Sequence, residues 1–138
     1  MTTRYRSKAE QRVAPPLLAA GAKYEPVRLD YVGALRAYYP DFVLPNGIVI
    51  EVKGWFKPAD RAKMLRIKAQ YPGLDIRLVL DTPQQFTTKA KTQTLAQWCE
   101  KHGFSWAKRE VPEGWYREPA NQVSLAILAN APKRITKG

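Results

Sequence analysis

The spacing of apolar positions changes several times along the chain, and each change marks an element. In Ile48-Val-Ile-Glu-Val-Lys53 the side chains alternate, so Ile48, Ile50 and Val52 share one face and Val49, Glu51 and Lys53 the other. Asp41-Phe-Val-Leu44 and Pro45-Asn46-Gly47 come just before, which predicts a β-hairpin. From Pro58 to Tyr71, Met64, Leu65, Ile67 and Tyr71 recur at helical spacing, with Pro58 at the start and Pro72-Gly73 as a stop. Leu74, Ile76, Leu78 and Leu80 alternate as in a strand. A second helix is expected from Thr92 to His102, with Leu95 and Trp98 inward, and a short strand from Phe104 to Ala107.

The first part of the chain is less regular. Residues 5–22 read as mostly helical, with Ser7 as N-cap, Glu10 at capping-box spacing and Gly21 as the stop. Pro15-Pro16 predicts a kink or a split in that helix. Residues 24–38 are rich in aromatic and β-branched side chains and read as extended, with Gly33-Ala-Leu-Arg36 ambiguous. The end carries a short apolar piece, Val123 to Ala129, then Lys133, Arg134 and Lys137. This order predicts an α/β fold, a central mixed sheet flanked by helices. Residues 1–138 read as one domain, with 1–38 as helix and bridge and 120–138 as a tail.

Composition narrows the partners. The 138 residues carry 23 Lys+Arg against 12 Asp+Glu, a net charge of +11, which favours a polyanion such as nucleic acid over a merely soluble basic surface. No apolar run is long enough to span a bilayer. Arg4, Arg6 and Lys8 before an apolar stretch faintly resemble a signal peptide, but Glu10, Gln11, Arg12 and Pro15-Pro16 interrupt it. A single cysteine, Cys99, excludes an internal disulfide and a cysteine-built metal site, and fits a reducing cytoplasm.

The chemistry concentrates in the hairpin, and its register decides the outcome. A two-residue turn at Asn46-Gly47 would set Asp41 opposite Val52, on the wrong face. A three-residue loop over Pro45-Asn46-Gly47 sets Leu44 opposite Ile48 and Asp41 opposite Glu51. Pro45 suits a type I turn and Gly47 the left-handed residue that follows it, which selects the second register. The Cβ atoms of Asp41 and Glu51 are then about 5 Å apart. Carboxylates that close repel unless a cation lies between them. Mg²⁺ suits such hard oxygen ligands, with Mn²⁺ as a substitute, and the Val52 carbonyl is a further candidate ligand. Lys53, on the same face, is placed to position or deprotonate a water attacking a phosphodiester. The plainer alternative is a surface Glu51–Lys53 ion pair; Pro40-Asp41, the loop length and the basic context favour a nuclease.

Pro40-Asp41 followed by Glu51-Val52-Lys53 resembles the PD-(D/E)XK nuclease superfamily, with its restriction-endonuclease-like fold. The whole block Pro40-Asp-Phe-Val-Leu-Pro-Asn-Gly-Ile-Val-Ile-Glu-Val-Lys-Gly54 is similar to the endonuclease I family of T-seven-type bacteriophages. So are Asp60-Arg61, Leu74-Asp-Ile-Arg77, Cys99-Glu-Lys-His-Gly103 and Trp115 with Glu118-Pro119. The resemblance, from about Tyr5 to Pro119, implies a Mg²⁺-dependent homodimer that resolves four-way (Holliday) junctions and leaves 5′-phosphates in the bacterial host. It implies Asp41 and Glu51 as metal ligands and Lys53 as the active-site lysine. It also matches Tyr5-Arg-Ser-Lys-Ala-Glu10 to a helix exchanged between protomers, with Glu10 as a further carboxylate. Two features depart from the family pattern. Pro15-Pro16 falls in that helix, and the stretch before Pro40 is a few residues shorter than the family's. Rival readings are another repair or restriction-type nuclease, or a protein that binds branched DNA without cutting it.

Six basic residues and one acid lie between Lys53 and Lys68. A solvated helix face accounts for some of them. Lys57 and Arg61 are expected at phosphates, with Arg4, Arg6 and Lys8 as a second backbone-binding patch. His102 reads as a helix C-terminal residue, Cys99 as a buried apolar group, and Trp98, Trp106 and Trp115 as packing residues. Trp55, just after Lys53, is a conceivable DNA contact but is not counted among the expected ones.

Overall fold

The computed structural model describes residues 4–31 and 36–133. The expectations for Gly33 to Leu35 and for Arg134 and Lys137 lie outside the described residues. The chain folds as α1 (Lys8–Ala19), β1 (Lys23–Tyr24), β2 (Leu29–Tyr31), β3 (Arg36–Tyr38), β4 (Phe42–Val43) and β5 (Ile48–Lys53). It continues as α2 (Pro58–Gln70), β6 (Asp75–Leu80), α3 (Leu95–Lys101), β7 (Ser105–Lys108), α4 (Glu113–Arg117) and α5 (Gln122–Asn130).

A five-stranded sheet runs in the order β1-β4-β5-β6-β7. The β1, β4 and β5 neighbours pair antiparallel, and β5, β6 and β7 pair parallel. This is the mixed α/β sheet expected from the sequence. The parallel half needs crossovers, and α2 and α3 supply them. β2 and β3 form a separate antiparallel ribbon where the sequence reads as one extended stretch.

β5 is central and buried from Ile48 to Val52. Its two faces feed two cores. Val49 packs with Met64 and Ile67 of α2, Leu95, Trp98 and Cys99 of α3, and Leu78 and Leu80 of β6. Ile48, Ile50 and Val52 pack with Ala9, Val13, Ala14 and Leu17 of α1 and with Phe42. Burying a Leu, Ile or Val side chain stabilises by about 1.5–3 kcal/mol, so both faces of β5 anchor the fold.

Pro15 and Pro16 lie inside α1, which runs unbroken from Lys8 to Ala19. The expected split does not occur. Prolines there leave the carbonyls of Gln11 and Arg12 without their helical donors, and Gln11, Arg12, Pro15 and Pro16 all face solvent, where water can take over. Ser7 caps the helix through the Glu10 N–H at 3.0 Å, and Gly21 follows it at φ +87. α3 starts three residues later than the sequence suggests, at a Thr94–Gln97 capping box. The tail is helical as well: the Ser124 hydroxyl of α5 donates to Gly47 O at 2.6 Å and accepts from Asp75 N–H at 3.2 Å. This fastens α5 to the hairpin loop and to β6. Among the described residues no helix is long and apolar enough to cross a membrane.

Candidate active site

The β4–β5 register pairs Phe42 with Ile50 and Val43 with Val49. One step further it sets Asp41 opposite Glu51, as the three-residue loop predicts. Gly47 is at φ +91 and its N–H donates to Leu44 O at 3.0 Å, which closes that loop. Asp41 and Glu51 are both buried, 3% and 2% exposed. Asp41 Oδ2 accepts the Val52 N–H at 2.9 Å, which fixes the carboxylate against the strand. Burial and the neighbouring Glu51 charge push the Asp41 carboxyl up to about 8. Glu51 Oε1 is buried with no hydrogen-bond partner.

Glu10 joins from α1. Its Oε1 accepts the Arg6 N–H at 2.6 Å and the Tyr24 hydroxyl at 3.0 Å. The capping box is therefore only half made: Ser7 caps Glu10, while the Glu10 side chain turns into the site. Burial, then the charge of Asp41, raise its pKa.

Glu25 was not legible as a site residue. It follows β1, is 6% exposed, and its N–H donates to Asp41 O at 2.8 Å. Carboxylate oxygens of Glu10, Glu25 and Asp41 lie within 4.8 Å of one another, and Glu51 connects to this trio through Asp41. Glu25 takes φ +44, a left-handed conformation unusual outside glycine, and such strain concentrates at functional sites. Its sequence signal is an acid just after a short edge strand.

The expected cations divide. Arg6 lies on the acids, with Nε 2.9 Å from Glu25 and a terminal nitrogen 3.2 Å from Asp41, while its side chain stays 63% exposed. Arg61 donates to Phe56 O at 2.7 Å and Thr87 O at 3.3 Å, so its guanidinium braces two loops. Arg4, Lys8 and Lys57 are exposed. Lys53 is half-buried, with its Nζ 5.7 Å from the Phe56 ring centroid. Val52 N–H is engaged by Asp41, and its side chain packs under α1.

Two further groups reach the site from outside the motif. The Tyr38 hydroxyl is buried without a hydrogen-bond partner, and burial and then Glu51 hold its pKa well above the ordinary phenol value. Lys63 of α2 lies 5.6 Å from the Tyr38 ring centroid; burial lowers its pKa and Glu51 opposes that shift. His102 caps the end of α3 with its ring tilted against Trp98, centroids 4.8 Å apart, and buried Cys99 has its thiol raised to about 12 by burial.

The donor set suits a hard divalent ion: several carboxylates, a buried oxygen lacking a donor, and no thiolate or imidazole.

Residues 1–134 match the family described as Phage endonuclease I. Endonuclease I of Escherichia phage T7 is 38% identical over 128 residues, covering 90% of this chain and 86% of that protein. Endodeoxyribonuclease 1 of Enterobacteria phage T3 is 41% identical over 123 residues, covering 86% of this chain and 81% of that protein. Together with the hairpin that carries Asp41, Glu51 and Lys53, these matches place the chain in the phage endonuclease I family.

Proposed function

We propose that the protein is a divalent-metal-dependent DNA endonuclease of the PD-(D/E)XK kind, selective for four-way and other branched junctions, and active as a homodimer. Family membership and the relatives' names support DNA endonuclease activity. The observation that carries the site assignment is the buried Asp41–Glu51 pair with one carboxylate oxygen lacking any donor.

Asp41, Glu51 and Glu10 are the residues that would hold Mg²⁺ or Mn²⁺, with Glu25 beside them and the Val52 carbonyl as a further ligand. The ion would neutralise charge at the phosphate and make water more acidic. Lys53 presents its ammonium from the same strand face as Glu51, where its N–H donors orient the attacking water and stabilise negative charge at the phosphate. Arg6 neutralises part of the acid cluster and holds Glu25 and Asp41 in place. Lys8, Arg4 and Lys57 are the exposed cations best placed for phosphates. Arg6, with its side chain 63% exposed, and Arg61 keep further N–H donors that a phosphate could take beside the contacts described above.

Junction selectivity rests on the resemblance of the Pro40–Gly54 block to junction-resolving enzymes and on a basic surface without an evident base-reading element. In the single chain, Glu10 and Asp41 belong to the same molecule. Exchange of α1 between protomers would place an equivalent Glu10 at each site.

The test compares cleavage of a four-way junction and a linear duplex, with Mg²⁺ and with EDTA. Junction cleavage that needs the metal is expected. Glu51→Ala and Lys53→Ala should keep binding and lose cutting, whereas cutting at the normal rate by both variants would refute the site. A protein that binds without cutting is the second reading, because the Arg6 ion pairs already neutralise part of the cluster; it predicts no metal-dependent product at all.

A further inference from the structure

Trp55 and Phe86 are 62% and 44% exposed, although the described residues leave few large apolar side chains in water. Both line one open cleft of about 320 Å³, together with Phe56, Arg61 and Lys89 among others. No acid lines it. Lys57 lies over the Trp55 ring with its Nζ 5.1 Å from the centroid. Phe56 lines the cleft and its ring centroid lies 5.7 Å from Lys53 Nζ, so the cleft adjoins the candidate active site.

The walls are held firmly. Arg61 ties them together through Phe56 O and Thr87 O. The Phe86 loop is pinned by Leu95 N–H to Gln85 O at 2.8 Å, Thr87 N–H to Gln93 O at 2.8 Å, and a Phe86–Thr94 bridge. Rigid backbone beneath two exposed rings makes them a preset platform. Aromatic faces rimmed by cations suit a nucleobase attached to its phosphates.

We propose that the Trp55–Phe86 cleft is a binding site for an unstacked base of the DNA strand at the branch point. The base packs against the rings, and Lys57 and Lys89 take the adjoining phosphates. Such a base is cheap to supply at a branch, where stacking is interrupted, and costly in an intact duplex. The cleft therefore contributes to the choice of branched over linear DNA. This rests on the nuclease reading above.

The experiment measures binding of the full-length protein to a four-way junction in EDTA, over a range of salt. Trp55→Ala and Phe86→Ala are each expected to weaken binding by about tenfold, as for one lost base–aromatic stack. The slope of affinity against salt should not change, because no phosphate contact is removed. Trp55→Phe should retain most of the affinity but lose the quenching of tryptophan emission that the junction causes in the wild type. Unfolding midpoints of the variants should match the wild type, as befits exposed side chains. Wild-type affinity in both alanine variants would overturn the base site while leaving the nuclease reading intact. A change in the mass of Trp55→Ala in solution would also overturn it, by assigning the cleft to a second copy of the chain. Failure of the wild type to bind or cut the junction would instead remove the nuclease reading, and the base site with it.

Discussion

The guanidinium of Arg6 lies 3.2 Å from the Asp41 carboxylate, and it bonds Glu25 with the same side chain at 2.9 Å. One exposed positive charge thus stands where a divalent cation is expected to act. Arg6→Gln should tighten Mg²⁺ binding by about threefold to fivefold, the size of one lost exposed charge interaction. Calorimetric titration of the metal into both proteins checks this. Equal or weaker affinity in the variant would show that Arg6 assists the metal instead of competing with it.

Glu25 is expected to matter although no motif names it. Glu25→Gln should lower apparent metal affinity in cleavage by about 10–100-fold, the range for groups that orient metal ligands. Junction binding in EDTA should stay unchanged. The metal dependence of the cleavage rate reads this out, and a wild-type curve would confine Glu25 to a structural role.

Asp41 predicts how metal-free stability varies with pH. Its carboxyl is raised from 3.8 to about 8, chiefly by burial and then by Glu51. Between those values the folded state holds a proton that the unfolded chain has released. Stability in EDTA should therefore be highest below about pH 4, fall as pH rises toward 8, and level off beyond. Glu10, raised by burial and Asp41, acts in the same direction. Denaturant midpoints at several pH values should show this fall in the wild type and a much flatter curve in Asp41→Asn. Identical curves would refute the shift.

Ser124 tests how the tail is attached. Its buried hydroxyl bonds both Gly47 O and Asp75 N–H, so Ser124→Ala leaves one buried and one part-buried backbone group without that partner. A loss of about 1–3 kcal/mol is expected in unfolding experiments. No loss would mean that α5 contributes little to holding the hairpin loop.

Much of this protein is legible in its sequence, and the reason is locality. The facing of Asp41 and Glu51 depends on a three-residue loop, and Pro45 and Gly47 state that loop's geometry within a few positions. Alternation then gave Lys53 its side of β5, and helical spacing gave α2. The unbroken α1 depended on something else: whether the carbonyls freed by Pro15 and Pro16 would face water, which only the docking of Val13, Ala14 and Leu17 settles. Glu25 reached the site because β1 pairs with β4, and Arg6 turned onto the acids because α1 sits over the same sheet. Short-range stereochemistry is written in neighbouring residues. Which distant charges meet is decided by packing, where one buried carboxylate draws in whatever cation the fold brings near.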